Sequence, residues 1–110
     1  MPADEPEDEQ AELRAIWEEH RAATLARVAA LERAANLAAE GKLEAADREF
    51  ARREAHTLAG AVAFFGYLNA SRMAADLERI LEERAVSDPE RLRDLVTKLR
   101  GALSGLPYTL

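Results

Sequence analysis

The chain has 110 residues, a formal net charge of −6 and no cysteine. Its length suits a single domain. The lack of cysteine excludes disulfides and thiolate metal sites and fits a reducing compartment. The negative charge disfavours nucleic-acid binding, which depends on Lys and Arg contacts to phosphates. No apolar run approaches the roughly 20 residues of a membrane span, so we expect a cytoplasmic protein with no membrane partner. Ala, Leu, Glu and Arg dominate the composition, and because they favour helices we expect an all-α fold.

The N-terminal part of the chain divides into a leader and two helical segments. Residues 1–10 contain two prolines and many acids, which predicts a disordered acidic leader. A short helix is expected over Glu12–His20, with Leu13, Ile16 and Trp17 on one face. A second is expected over Arg21–Glu40, and Gly41 is a suitable left-handed stop. No clear breaker separates the two segments, so they could also be continuous, or bent near His20.

Three more helices are predicted after Gly41. One covers Leu43–Phe65, with its buried side made by Phe50, Leu58, Val62 and Phe65. The next covers Asn69–Arg84, with Asn69 as its N-cap. The last has the clearest start signal, because a capping residue, a proline and an acid follow one another in Ser87, Asp88, Pro89 and Glu90.

Short loops between long amphipathic helices predict antiparallel neighbours. We therefore expect an antiparallel up-down four-helix bundle over residues 11–106, with the short N-terminal helix lying across one end. We expect residues 107–110 to form a C-terminal tail. No internal repeat or second domain is visible.

His56 is predicted to face away from the core. At 100° per residue it lies about 160–180° from Leu58 and Phe65 on the helix surface. The neighbours three, four and seven positions further along are Ala59, Gly60 and Ala63, and all are small.

The residues before the histidine are charged, and the glycine after it is unusual. Arg52 and Arg53 lie one turn N-terminal to His56 and could screen an anionic group. A glycine in an exposed helix interior costs about 1 kcal/mol relative to alanine. Gly60 therefore suggests that a docking protein or a phosphoryl group approaches the backbone beside His56.

Imidazole suits phosphoryl transfer because a neutral, nucleophilic nitrogen is available near neutral pH, and a phosphorylated imidazole keeps a high transfer potential. A lone exposed histidine on a helix is nevertheless usually an ordinary surface residue. His20 is such a case, and we assign it no role.

The segment AHTLAGAVAFFG resembles the signature of histidine phosphotransfer domains. The matching residues are Ala55, His56, Leu58, Gly60 and Gly66. The following LNASRMAADLERIL resembles the next helix of that family, and the likeness extends in outline from about Glu12 to Leu103.

This resemblance implies a function. His56 would accept the phosphoryl group on its outward nitrogen, Gly60 would leave room for it and for the partner, and Gly66 would permit a tight passage into the next helix. The partners would be the receiver domain of a response regulator and a hybrid sensor histidine kinase. Such domains have no kinase activity, and the Mg²⁺ that assists belongs to the receiver, so no metal or other cofactor is expected in this chain.

One departure from the family pattern concerns the position three residues after the histidine. Many members have a lysine there that steadies the phosphoryl group, whereas this chain has Ala59. We expect Arg52 or Arg53 to replace it. The alternatives are Arg72 or Arg79 on the adjacent helix, or a phosphohistidine that is less stabilised.

The resemblance also implies a partly apolar docking surface. Phe64 projects about 80° from His56 and borders that surface, unless it is a core residue like Phe65.

Other classes of function fit the sequence less well. The chain could be a phosphotransfer module of the chemotaxis-kinase type, phosphorylated directly by a kinase in trans. It could be a helical interaction module that has lost phosphotransfer, with Ala59 as the sign of that loss. A hydrolytic enzyme lacks support, because no second histidine, nucleophile, phosphate loop or metal-ligand pattern accompanies His56.

Overall fold

A computed structural model of the chain describes residues 5–104 as four helices. The helices are α1 (Glu5–Ala39), α2 (Ala45–Phe64), α3 (Leu68–Glu82) and α4 (Pro89–Ala102). Helix α2 packs against α1 and α3, and α4 packs against α3 and α1. Short connections make successive helices antiparallel, so α2 and α4 lie diagonally opposite each other. The predicted all-α, up-down four-helix bundle is confirmed.

The short extra N-terminal helix is not confirmed, and of the alternatives left open for residues 12–40 the continuous helix is the one observed. Instead of a short separate helix followed by a second one, α1 runs without interruption from Glu5 to Ala39. The helix also covers residues 5–10, where a disordered leader was expected. Pro6 lies in its first turn, where proline is tolerated, and no glycine or proline occurs again before Gly41. Residues 1–4 of the predicted leader and the predicted tail at 107–110 lie outside the described residues.

Two glycines end α1 and α2 in the same way. Gly41 has φ 70° and Gly66 has φ 89°, a left-handed conformation that glycine adopts without a steric penalty. After α1, the amide of Lys42 donates to the carbonyl of Leu37 at 2.8 Å, and after α2 the amide of Tyr67 donates to Val62 at 2.9 Å. These are the six-to-one bonds of a Schellman turn. The chain is thereby reversed within a few residues, which brings α3 directly onto α2.

Helix α4 begins where the sequence signal predicted. Asp88 is its N-cap, and the side-chain Oδ1 accepts a 3.1 Å hydrogen bond from the amide of Arg91. Pro89 occupies the first turn of α4. Amides in that turn have no acceptor within the helix, so the missing amide proton of proline costs no hydrogen bond.

Large aliphatic side chains from all four helices fill the core. Those that are fully buried include Leu31, Leu58, Leu77, Leu81, Leu92, Leu99 and Leu103. Trp17 is only 2% exposed and packs against the rings of Phe65 and Tyr67 at centroid distances of 5.1 and 5.0 Å. The tryptophan therefore anchors the packing of α1 against the α2–α3 turn. No described helix is long and apolar enough to cross a membrane.

Three residues differ from their predicted roles. Ile16, predicted on one face with Leu13 and Trp17, is exposed although Trp17 is buried, and Phe50, predicted on the buried side of its helix, is exposed as well. At the turn of α2 that carries Phe50, the small side chain of Ala51 takes the buried position and lets the helices approach closely. Asn69 is not an N-cap, because α3 begins at Leu68. The Asn69 Oδ1 instead accepts a hydrogen bond from Arg72.

Candidate functional site

His56 lies in the middle of α2 on the side of the helix that faces solvent. Its side chain is 72% exposed, whereas Ala55 and Leu58 on the same helix are completely buried. The imidazole is therefore carried on a regular, well-packed helix, and its accessibility follows from helical periodicity alone.

Glu78 on α3 holds one side of the imidazole ring. Its two carboxylate oxygens lie 3.2 and 3.1 Å from Nδ1 of His56. A carboxylate accepts hydrogen bonds and does not donate them, so this contact favours the proton on Nδ1. Among residues 5–104 no hydrogen bond reaches Nε2, and the side chain that carries it is mostly exposed.

Arg52 belongs to the same cluster through two carboxylates. Its Nε and Nη2 donate to Glu49 at 2.9 and 2.7 Å, and its Nη1 donates to Glu78 at 3.3 Å. The hydrogen bond between Arg52 and Glu49 stabilises both charged groups, so it lowers the pKa of Glu49 and raises the pKa of Arg52. Arg52 is thus engaged on both sides, and its guanidinium has a fixed direction.

Arg53 differs from its neighbour in sequence. Its side chain is 66% exposed, and its closest recorded ion pair is a loose contact of 3.8 Å between Nε and Glu49. It lies three positions before His56, which places both side chains on adjacent parts of the same helix surface. Arg53 is therefore a cation near the imidazole that can still reorient.

The three small residues after His56 do not share one environment. Gly60 and Ala63 are exposed, but Ala59 is half-buried and packs against the core. The carbonyl oxygen of Ala59 accepts a 2.8 Å hydrogen bond from Ser71 of α3. The position at which many family members have lysine therefore lies at the α2–α3 contact, and only Gly60 and Ala63 form the bare surface beside the histidine.

The two adjacent phenylalanines at the end of α2 have opposite environments. Phe64 is 70% exposed and Phe65 is 5% exposed, and their rings meet edge to face at 5.1 Å. The alternative that Phe64 is a core residue is wrong.

The two basic residues considered on α3 make other contacts. Arg72 donates to Asn69 at 2.9 Å, and Arg79 pairs with Asp76 one turn earlier on its own helix. Neither has a recorded contact with His56. Across residues 5–104 no group of three His, Cys, Asp or Glu side chains could hold a metal ion.

The site residue that sequence reasoning missed is Glu78. The sequence contains a signal for it. When two antiparallel helices are joined by a three-residue turn, a residue on one helix lies opposite the residue that is about equally far from the turn on the other helix. Counting outwards from Gly66, His56 is ten positions before it and Glu78 twelve positions after it. An acid near that position on α3 was therefore a candidate partner for the imidazole.

The fold and the site together define an all-α bundle that presents one histidine from mid-helix, backed by a carboxylate of the neighbouring helix. The comparison with protein families identifies the class: the Hpt domain model matches residues 12–106, and the chain belongs to this family. Hpt domains are phosphocarriers that take part in histidine phosphotransfer within phosphorelays. No match was found among curated proteins or among solved structures.

Proposed function

We propose that this domain accepts a phosphoryl group on Nε2 of His56 from the aspartate of one receiver domain and delivers it to the aspartate of another. The observation that supports this most directly is the exposed imidazole whose Nδ1 contacts Glu78. With the proton held on Nδ1, the Nε2 lone pair is available as the nucleophile.

The transfer needs no proton to leave the site. The Nε2 lone pair attacks the phosphorus of an aspartyl phosphate, a P–N bond forms, and the P–O bond breaks as the aspartate departs as a carboxylate. The ring then carries a positive charge, with its proton on Nδ1 beside the Glu78 carboxylate. In the reverse step a carboxylate oxygen of the second receiver attacks the phosphorus, and the P–N electron pair returns to Nε2.

Arg53 is our candidate for the cation that takes the place of the usual lysine. Ala59 cannot supply a charge, and Arg52 is already bound to Glu49 and Glu78. Arg53 is exposed and only loosely paired, so its guanidinium can turn toward a phosphoryl group on Nε2 and form charge-assisted hydrogen bonds with it.

We assign the docking surface for the receiver domain to Gly60, Ala63 and Phe64. All three are exposed on α2, and a Cβ built on Gly60 would meet nothing within 4 Å. Phe64 provides a large apolar side chain next to the small residues, a combination typical of an anchor beside a close backbone approach.

The partners follow from the chemistry of this exchange. We propose that the domain takes phosphoryl groups from the receiver of a hybrid sensor histidine kinase and transfers them to a response regulator, with no kinase activity and no bound cofactor of its own. The Mg²⁺ that assists the transfer would be the one held by the receiver.

The experiment that tests this proposal uses the purified domain, a phosphorylated receiver domain and Mg²⁺. We expect acid-labile, base-stable phosphate on the domain, and we expect His56→Gln to abolish it. His20→Gln is the matched control, because His20 is also an exposed histidine on a helix, and it should leave labelling unchanged. Absence of label with several receivers and with a histidine kinase would show that the bundle only binds its partners.

A further inference from the structure

We infer that Arg52 is a positioning residue that holds the Glu78 carboxylate against His56, and that it influences phosphotransfer through this carboxylate rather than by touching the phosphoryl group. The inference rests on the proposed function, since it concerns the same imidazole. It assigns different tasks to the two neighbouring arginines of α2, Arg52 and Arg53.

The first step of the argument is the anchoring of Arg52 on its own helix. Glu49 lies one turn earlier and accepts two hydrogen bonds from the guanidinium, at 2.9 and 2.7 Å. A bidentate pair of this kind fixes the plane of the guanidinium as well as its position. The remaining Nη1 is then directed across the helix contact toward α3.

The second step is the shared oxygen of Glu78. Its Oε2 accepts from Nη1 of Arg52 at 3.3 Å and lies 3.1 Å from Nδ1 of His56. A glutamate side chain that is 21% exposed has several rotamers to choose from, and ordering it has an entropic cost. The bond from Arg52 removes much of this freedom and leaves the carboxylate facing the imidazole.

The third step concerns charge. A phosphoryl group on Nε2 would bring additional negative charge close to the Glu78 carboxylate. Apart from the ring itself, Arg52 is the cation bonded to that carboxylate, at 3.3 Å, and it offsets the repulsion without leaving its place. Arg48, the other arginine on this side of α2, donates instead to the carbonyl of Leu81 at 2.9 Å. Glu82 adds a further negative charge near Arg52.

The geometry also predicts that lysine cannot replace this arginine. One ammonium group is a compact point charge, whereas the planar guanidinium bonds Glu49 on one edge and Glu78 on another. Arg52→Lys should therefore keep the charge and lose most of the positioning.

The test measures the tautomer of His56 by ¹⁵N chemical shifts of the ring, without any phosphorylation. In the parent domain the neutral ring should carry its proton mainly on Nδ1. Arg52→Ala and Arg52→Lys should shift it toward the Nε2–H form, and Glu49→Gln should do so to a smaller extent. Arg93→Ala is the matched control, because Arg93 is exposed on α4, which does not contact α2. An unchanged tautomer in folded Arg52→Ala and Arg52→Lys would overturn the inference.

A double-mutant comparison separates positioning from direct contact. If Arg52 acts through Glu78, Arg52→Ala combined with Glu78→Ala should slow phosphotransfer no more than Glu78→Ala alone, because residues in one network are not additive. Multiplied losses would show that Arg52 reaches the phosphoryl group itself and would contradict the inference. A domain that accepts no phosphoryl group would instead refute the proposed function, and the tautomer result would still stand.

Discussion

Glu78 of α3 lies 3.1 Å from Nδ1 of His56 on α2, although the two residues are 22 positions apart in the sequence. The contact exists because the Gly66 turn folds α3 directly back along α2. The candidate site is therefore a product of helix packing, and a change in the register of α2 against α3 would separate His56 from Glu78.

Gly60 should be dispensable for the fold and required for transfer. Since a Cβ there meets nothing within 4 Å, Gly60→Ala should stabilise the domain by about 0.5–1 kcal/mol through helix propensity, which thermal unfolding can measure. Gly60→Gln should slow phosphotransfer about tenfold or more, because small displacements of reacting groups have effects of that size.

Gly101 provides the matched control for Gly60. It is also a helical glycine with open space around it, but it lies on α4. Gly101→Gln should leave the rate of phosphotransfer unchanged. Equal slowing by the two substitutions would mean that close approach beside His56 is not the reason for Gly60.

Arg53→Ala should shorten the lifetime of the phosphorylated histidine. The interaction would be solvent-exposed, so we expect an effect of about two- to fivefold, corresponding to roughly 0.5–1 kcal/mol. The lifetime can be followed by loss of label from the isolated phosphorylated domain at neutral pH. Arg93→Ala serves as the control. If phosphorylated Arg53→Ala kept the lifetime of the parent, Arg53 would have no part in stabilising the phosphoryl group.

Phe64 and Phe65 should respond in opposite ways to the same substitution. Phe65→Ala should lower the free energy of unfolding by about 3–5 kcal/mol, because the ring is buried against Trp17. Phe64→Ala should lower it by less than about 1.5 kcal/mol, the value of an edge-to-face contact, yet weaken receiver binding. Urea titration measures the first effect and calorimetric titration the second. If Phe64→Ala bound the receiver domain with the same affinity as the parent, Phe64 would not belong to the docking surface.

Tyr67 should make the domain less stable at alkaline pH. Burial raises its pKa above the ordinary value of 10.0, so the folded state retains this proton more strongly than the unfolded state. The resulting stability is complete below the ordinary pKa and is lost as the pH rises through the folded value. Urea unfolding between about pH 9 and pH 11 should show a shallower decline in Tyr67→Phe than in the parent, and identical declines would exclude the tyrosine as the cause.

Much of the bundle could be predicted because its signals are local. The period of 3.6 residues placed Leu58 and Phe65 inside and His56 outside, and the Ser87–Glu90 signal located the start of α4 within two residues. The continuity of α1 could not be predicted from such signals, because the sequence contains no breaker between its halves and periodicity alone does not show whether a helix bends.

The parts of the site that escaped prediction depend on distances between helices. Spacing along α2 identified Arg52 as a cation near His56, but only the packing of α3 against α2 shows that Arg52 forms an ion pair with Glu78. The same packing places Ala59 at a helix contact instead of on the bare surface. Phe50 was misplaced because the core at its turn is narrow enough to be filled by Ala51.

The high exposure of His56 on a rigid helix has a thermodynamic consequence for the relay. The imidazole is 72% exposed, so under the proposed function water would reach a phosphoryl group on His56 except while a partner is docked. Under the proposed function, the domain would then act as a reversible reservoir, and the net direction of phosphoryl flow would be set by how much of each partner is present and how strongly each aspartate holds its phosphate.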